Sequence, residues 1–199
     1  MWPLLASAVI GIAFIVERFI TFAMARVNPK KFAAQVISAL KDGGAEKAME
    51  VCNRSRSPVA RILAAGLAKK EMGRRLQDKK VAIEDAISVA GASELGFLDR
   101  GMLVLAAVAT VAPLMGFLGT VSGMIRAFDA IAIAGVLEPS LVASGISEAL
   151  ITTAAGLIIA IPVAAFHVYF TGRINTYTRN MEEASNALVD ALVAGEAFE

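Results

Sequence analysis

A carboxylate and two adjacent hydroxyls lie within an otherwise apolar stretch in the C-terminal half of the chain. Glu148, Thr152 and Thr153 belong to the segment 139–170, which holds no other Asp, Glu, Lys or Arg. A carboxylate among about 20 apolar residues costs several kcal/mol in hydrocarbon. Glu148 is therefore expected to face a helix bundle or a water-filled path. The alternative is a polar residue that only tethers two helices.

Small residues form a stripe along the same predicted helix. They recur every three or four positions, as residues on one face of a helix do: Gly145, Ala149, Thr153, Gly156 and Ala160. Such a stripe lets a neighbouring helix approach closely, and it can equally leave room for a lumen or for a partner's helix. Thr152 lies one turn after Glu148 and shares its side of the helix.

A second stripe of the same kind lies on the preceding apolar stretch, 102–126. Its members are again three or four residues apart: Pro113, Gly116, Thr120, Gly123 and Ala127. Two such stripes on consecutive helices predict a shared inner surface lined by Thr120 and Thr153, with Glu148 nearby.

Composition indicates a membrane protein. The 199 residues are 57% hydrophobic with a mean hydropathy of +0.65, although 19% of them are charged. Most charges lie between residues 26 and 101, so the apolar residues are segregated into three candidate spans. The predicted fold class is an all-α integral membrane protein with three transmembrane helices and long cytoplasmic helical extensions.

The charge and cysteine content exclude several classes of site. A net charge of +1 gives no basis for a nucleic-acid partner. The single cysteine, Cys52, excludes an internal disulfide and a multi-cysteine metal cluster. No metal site or cofactor is predicted. The basic run from Lys69 to Lys80 is expected to be a solvated face near anionic membrane lipids.

Basic residues also predict the topology. Lys and Arg outnumber Asp and Glu in the large loop, whereas no Lys or Arg lies between residues 127 and 147. The loop and the C-terminal tail are therefore expected in the cytoplasm and the N-terminus outside. The first apolar run lacks a cleavage pattern and is expected to remain as an anchor. The predicted segments are span one 1–25, a cytoplasmic helical domain 26–101, span two 102–126, a periplasmic linker 127–138, span three 139–170 and a cytoplasmic C-terminal helix 171–199.

Local signals divide the charged loop into helices. Asn28 and Ser57 each precede a proline, the pattern of an N-cap followed by the first helical residue. Gly43 and Gly44 are expected to interrupt the first of these helices. From Asp78 onward, an apolar face is predicted from Val81, Ile87, Leu95 and Leu98. The tail has a coiled-coil-like seam that is expected to pack against the loop helices, consisting of Ile174, Tyr177, Met181, Ala184 and Leu188.

Glu17 and Arg18 end the first apolar run. The charge-free part, 4–16, is about 20 Å long as a helix and is too short to cross a bilayer alone. The two residues are thus expected near the cytoplasmic interface or against protein. Adjacent helical side chains point about 100° apart, so partners on neighbouring helices are expected for both. Snorkelling of Arg18 to the headgroups is the alternative.

The two small-residue segments resemble a known family. APLMGFLGTVSGM (112–124) and GISEALITTAAGLIIAIP (145–162), after a first span ending in Glu17-Arg18, look like the ExbB/TolQ branch of the MotA/TolQ/ExbB proton-channel family. The resemblance implies that the family's functional positions fall on Thr120 in G-T-V-x-G, on Glu148 in G-I-x-E-A-L and on Thr153 in T-A-x-G-L.

The resemblance also implies an assembly and a task. Family members form homopentamers in the bacterial inner membrane, with a central pore around the helices of a dimeric, single-span ExbD/TolR-type partner that carries a membrane aspartate. Proton flow is then expected to power TonB-dependent uptake through a TonB-like protein, or Tol-type envelope maintenance through a TolA-like protein. The implied protein is not an enzyme.

Several alternatives stay open. ExbB and TolQ sequences often have tryptophan at the position of Ser122 and asparagine at that of Val168, and ExbB proteins frequently carry an N-terminal periplasmic extension that this sequence does not show. The subfamily, the ion (H⁺ or Na⁺) and the driven process are therefore undecided. The alternative function is a non-conducting scaffold that assembles and stabilises a partner. An enzyme is disfavoured, because Ser122 lies in G-T-V-S-G rather than G-x-S-x-G and the sole histidine is His167.

Overall fold

The computed structural model describes residues 2–24, 28–69, 76–135 and 139–196. These residues form six helices and no β-strand: α1 (Trp2–Met24), α2 (Pro29–Arg54), α3 (Pro58–Leu67), α4 (Leu76–Asp99), α5 (Met102–Ala134) and α6 (Pro139–Glu196). The all-α prediction is confirmed for this part of the chain. Contacts divide the chain into an apolar unit, Met1–Phe19 with Gly101–Thr171, and a charged unit, Ile20–Arg100 with Gly172–Glu199.

Three helical stretches are long and apolar enough to cross a membrane: Trp2–Ala23, Asp78–Ile133 and Val142–Ala194. In their most apolar windows only 22, 33 and 28% of the residues are buried. Most apolar side chains therefore face outward, which suits contact with lipid or with other helices. The prediction of three long apolar helices that fit membrane spans is confirmed.

Helix α5 extends past the expected end of the second span. It runs to Ala134, so the predicted linker 127–138 is helical over more than half of its length. Gly135 follows in the left-handed conformation (φ 63°), and its N–H donates to the carbonyl oxygen of Ile131 at 3.0 Å. This is a common glycine-based helix end. Residues 136–138 lie outside the described part of the chain, and the position of the membrane boundary stays a prediction.

Both predicted N-caps are confirmed in the charged unit. The Asn28 side-chain oxygen accepts the backbone N–H of Lys30 at 3.1 Å, and Ser57 Oγ accepts that of Ala60 at 3.4 Å. Each cap precedes a proline at the start of a helix. Proline is suited to that position because its missing N–H would have no helical partner there.

The predicted interruption at Gly43 and Gly44 is also confirmed. Both residues have non-helical dihedral angles inside α2, and Gly44 has φ 71° and ψ −169°. That combination is accessible almost only to glycine. The glycine pair therefore allows the chain to change direction between the two helical halves of α2.

The core of the charged unit joins α2, α3, α4 and the end of α6. It is formed by buried aliphatic and aromatic side chains that include Phe32, Val36, Ile62, Leu63, Met181, Ala184 and Leu188. The predicted packing of the tail against the loop helices is thus confirmed. On α4, however, Val81 is 64% exposed while Ile83 is 3% exposed. Ile83 and Ile87 lie one turn apart and both approach Gly66, whereas Val81 points to another side of the helix.

The prediction that Glu17 and Arg18 are poor partners for each other is wrong. Arg18 Nε donates to Glu17 Oε2 at 2.6 Å, and Arg18 Nη2 donates to Oε1 at 2.7 Å. The long side chain and planar fork of arginine overcome the angle between adjacent helical positions. Arg18 is 3% exposed and lies against Gly101, so it does not snorkel to an exposed position.

Candidate functional site

The two small-residue stripes pack against each other in the apolar unit. A Cβ atom added to Gly156 would lie 2.7 Å from the Ala112 carbonyl oxygen, and one added to Gly116 would lie 3.1 Å from Thr153 Cα. Further along, Gly123 approaches Ala149. Later positions on α5 thus meet earlier positions on α6, so the two helices are antiparallel. Within one chain, the stripes form a close helix contact, which we call the small-residue seam.

The last described pair of the seam is Ala127 with Gly145. A Cβ atom on Gly145 would lie 2.6 Å from Ala127 Cβ. Of the other predicted stripe residues, Ala160 is 5% exposed, whereas Pro113 is half-buried. At Pro113 the structure differs from the predicted stripe, because the adjacent Ala112 faces Gly156.

The three predicted threonines have different acceptors. Thr153 Oγ1 donates across the seam to the Gly116 carbonyl oxygen at 3.1 Å. Thr152 Oγ1 donates within α6 to Ala149 O at 2.7 Å, and Thr120 Oγ1 donates within α5 to Phe117 O at 2.6 Å. Gly119, not Thr120, faces Thr152 across the seam. The structure therefore joins Thr153 to α5 and leaves Thr120 half-buried beside the seam.

Glu148 has an ionic partner that the sequence reasoning missed. Arg126 Nη2 donates to Glu148 Oε1 at 2.9 Å, and the two side chains are 60% and 59% exposed. Arg126 Nε also donates to the Ser122 carbonyl oxygen at 3.4 Å. The two stripes could have indicated this pair. Arg126 directly precedes Ala127 and Glu148 directly precedes Ala149, and both alanines are seam residues. An exposed pair of this kind contributes about 0–1 kcal/mol in water, so it is not a main source of stability.

Helix α1 packs against both seam helices. A Cβ atom on Gly11 would lie 3.0 Å from Val163 Cγ2 and 3.4 Å from Val108 Cγ1, which indicates a tight three-helix contact. The Phe19 ring lies edge-on to Phe166 and Phe170, with centroid distances of 5.6 and 5.1 Å. These contacts give the seam a fixed support.

The outer faces of α5 and α6 remain exposed and apolar. Their large exposed side chains include Leu114, Phe117, Leu118, Val121, Ile125, Leu150, Ile158 and Ile161. A surface of this size on helices that fit a membrane suits contact with lipid chains or other apolar helices. Glu148 and Arg126 thus form an ion pair among the exposed apolar side chains of α5 and α6.

Two titratable groups of the charged unit, Cys52 and Tyr177, have a raised pKa because they are buried. Burial raises the pKa of Cys52 to about 11, so its thiol is a poor nucleophile near neutral pH. Burial also raises the pKa of Tyr177. In the described ranges, no group of three or more His, Cys, Asp or Glu side chains could hold a metal ion.

Comparison with known proteins identifies the family. Residues 54–183 match the MotA/TolQ/ExbB proton channel family. The chain is 32% identical over 152 residues to a putative biopolymer transport protein ExbB homolog of Methanothermobacter thermautotrophicus, which covers 76% of this chain and 52% of that protein. It is 28% identical over 168 residues to biopolymer transport protein exbB1 of Vibrio cholerae, covering 82% of this chain and 71% of that protein.

A TolQ protein is similar over a shorter region. The Tol-Pal system protein TolQ of Haemophilus influenzae is 40% identical over 90 residues, which cover 45% of this chain and 40% of that protein. The chain spans about half of the length of the Methanothermobacter relative. The family match includes both seam helices and more than half of the chain. The chain therefore belongs to the MotA/TolQ/ExbB proton channel family, as an ExbB/TolQ-type subunit.

Proposed function

We propose that this chain is an ion-conducting subunit of the bacterial cytoplasmic membrane that converts the proton motive force into work on a periplasmic or outer-membrane process. The observation that carries the proposal is the seam between α5 and α6, which brings Thr153 and the Glu148–Arg126 pair onto two helices whose large exposed side chains are mostly apolar. Ionisable groups within membrane helices commonly mark ion pathways. The family is one of proton channels, which makes H⁺ the first ion to test.

The polar groups differ in how accessible they are. Thr120 is half-buried and Glu148 is 59% exposed, although both belong to helices that fit a membrane. In a single chain these groups can therefore be reached by another copy or by a partner helix. A hydroxyl can donate and accept a hydrogen bond, so Thr120, Thr152 and Thr153 could support a water wire or bind a partner's carboxyl group.

The proposed assembly is the one that the family resemblance implies. We infer a homopentamer around the helices of an ExbD/TolR-like partner with one span and a membrane aspartate, oriented with the N-terminus outside and the C-terminus in the cytoplasm. The exposed apolar faces of α1, α5 and α6 support a membrane oligomer. One charge that crosses 100 mV releases about 2.3 kcal/mol, so several ions per cycle are needed for a large movement. A TonB-like or TolA-like protein would receive the work.

One observation favours a second candidate, a non-conducting scaffold. Thr153 donates to Gly116 and Glu148 pairs with Arg126, so both polar groups already tether α5 to α6. If tethering were their whole role, removal of either group would lower assembly without a separate effect on ion flux. The two functions therefore make different predictions for the same variants.

Proton flux in liposomes tests the proposal. The chain is co-expressed with the ExbD/TolR-like protein of the same genome, and flux is followed with a pH-sensitive dye for wild type, Thr153→Val and Thr153→Ser. Thr110→Val is the matched control, because Thr110 is exposed on α5 and donates only locally, to Ala106 O at 2.9 Å. Interhelical hydrogen bonds in membranes contribute about 0.6 kcal/mol on average, so Thr153→Val should still assemble.

We expect proton flux in wild type, Thr153→Ser and Thr110→Val. Thr153→Val should lose most of the flux, while light scattering shows that its complex has the same size as wild type. Intact wild-type complexes that pass neither H⁺ nor Na⁺ under a potential or an ion gradient would refute the channel and favour the scaffold. Flux of Na⁺ alone would keep the channel and change the ion.

A further inference from the structure

We propose that Arg126 is the positioning residue for Glu148: its guanidinium holds the carboxylate at one place on α6, and ion passage requires this pair to open. The inference rests on the function proposed above and adds a residue to it. It makes Arg126 the counter-ion that is released when a proton binds Glu148, or that a competing carboxylate takes over from Glu148.

The geometry places the pair on a rigid support. Arg126 reaches Glu148 at 2.9 Å, and its Nε is held by the Ser122 carbonyl oxygen on its own helix. The residues that follow the two partners, Ala127 and Ala149, are both buried in the seam. The backbones on both sides of the ion pair are therefore fixed by close helix contact, so the long Arg126 side chain has a defined target.

The sequence contains few other positively charged residues that could pair with Glu148. Arg126 is the sole Lys or Arg between residues 101 and 171, and Arg18, at the far end of α1, pairs with Glu17. Other titratable groups on α5 and this part of α6 are Asp129, whose charge is negative, His167 and Tyr169. His167 lies more than five helical turns from Glu148, about 28 Å along α6. Among the described Lys and Arg side chains of the apolar unit, Arg126 is thus the one near Glu148.

Chemistry explains why the pair matters beyond stability. A lone carboxylate on a membrane helix is expensive, whereas a paired one is tolerated. The pair is more than half exposed in the single chain, so water, a proton or another helix can reach it. Two arrangements follow: a closed pair with Glu148 charged, and an open pair in which Glu148 is protonated or Arg126 binds a different carboxylate.

Carbodiimide labelling tests the pair without any measurement of flux. Dicyclohexylcarbodiimide modifies protonated carboxyl groups, and mass spectrometry follows the Glu148 peptide at neutral pH in the purified, co-expressed complex. Arg126→Gln and Arg126→Met remove the charge, Arg126→Lys keeps it, and Asp129→Asn is the control for a charge change on the exposed surface of α5. Two neutral variants are used so that a folding failure of one leaves the other.

We expect Glu148 to be labelled up to about fivefold faster in the neutral variants, because the exposed ion pair that holds its carboxylate is lost. Arg126→Lys and Asp129→Asn should remain near the wild-type rate. Equal labelling in wild type and in an assembled neutral variant would overturn the inference, as would an Arg126→Lys rate equal to that of Arg126→Gln.

Flux separates this inference from the proposed function. If neutral variants label faster and lose flux while Arg126→Lys retains both properties, the positioning role is supported. Faster labelling in complexes whose wild type never conducts would support the ion pair and refute the channel. Full wild-type flux in an assembled neutral variant would overturn the requirement for Arg126.

Discussion

The substitution Gly156→Ala tests whether close backbone approach holds α5 and α6 together. The added Cβ would lie 2.7 Å from the Ala112 carbonyl oxygen and 3.2 Å from Gly116 Cα. Both neighbours are backbone atoms, which cannot rotate away as a side chain can. Ordinary Cβ contacts begin near 3.4 Å, so the helices must separate locally by about 0.7 Å.

The size of the effect follows from two opposing contributions. Forcing one extra methyl group into a packed interface destabilises by about 1–3 kcal/mol. Replacing glycine by alanine inside a helix stabilises by about 1 kcal/mol. We therefore expect Gly156→Ala to lower the free energy of unfolding by up to about 2 kcal/mol. Gly172→Ala is the matched control on the same helix, because nothing lies within 4 Å of its added Cβ, and it should be neutral or slightly stabilising.

The assay is equilibrium unfolding of the purified chain in mixed dodecylmaltoside and SDS micelles, followed by circular dichroism. The midpoint should fall for Gly156→Ala and stay or rise for Gly172→Ala. If the two variants unfold at the same SDS fraction, or if Gly156→Ala is the more stable, the seam is not the close contact described and the reasoning fails.

Two further predictions concern the charged unit. Gly44→Ala should lower the free energy of unfolding by about 1–3 kcal/mol, because φ 71° with ψ −169° is strained for any residue with a Cβ. Gly91→Ala is the control, since nothing lies within 4 Å of its added Cβ, and it should not destabilise the protein. Thermal unfolding of both variants checks this. Burial raises the pKa of Cys52 from 9.0 to about 11, so the neutral thiol is favoured when folded. The contribution of Cys52 to the free energy of unfolding should be constant below pH 9 and fall between about pH 9 and 11. Denaturant unfolding of wild type and Cys52→Ala at about pH 8 and pH 10 measures this, and the variant should lack the loss.

Features that depend on local spacing could be predicted from the sequence. Residue types a few positions apart indicate the caps at Asn28 and Ser57, the interruption at Gly44 and the two small-residue stripes. Three apolar helices and an all-α fold follow from the same periodicity. The roles of Thr120, Glu148 and Thr153 in conduction stay predictions.

Features that depend on alignment between helices, or on side-chain reach, were missed. The Arg126–Glu148 pair requires the relative position of α5 and α6, which neither helix specifies alone. Backbone angles alone disfavour a pairing of Glu17 with Arg18, although a long guanidinium can bend back to an adjacent carboxylate. On α4, Ile83 rather than Val81 is buried because Gly66 opens a contact at Ile83 and Ile87.

The hydroxyl groups of the apolar helices also bear on biosynthesis. Thr110, Thr120 and Thr152 each donate to a carbonyl oxygen three or four residues earlier in their own helix. A nascent helix that carries them can therefore leave the translocon and enter the bilayer with those donors already satisfied. Thr153 differs, since its acceptor on Gly116 becomes available only after two inserted helices have met. The Thr153 hydrogen bond therefore forms only in the later step of folding, in which inserted helices associate.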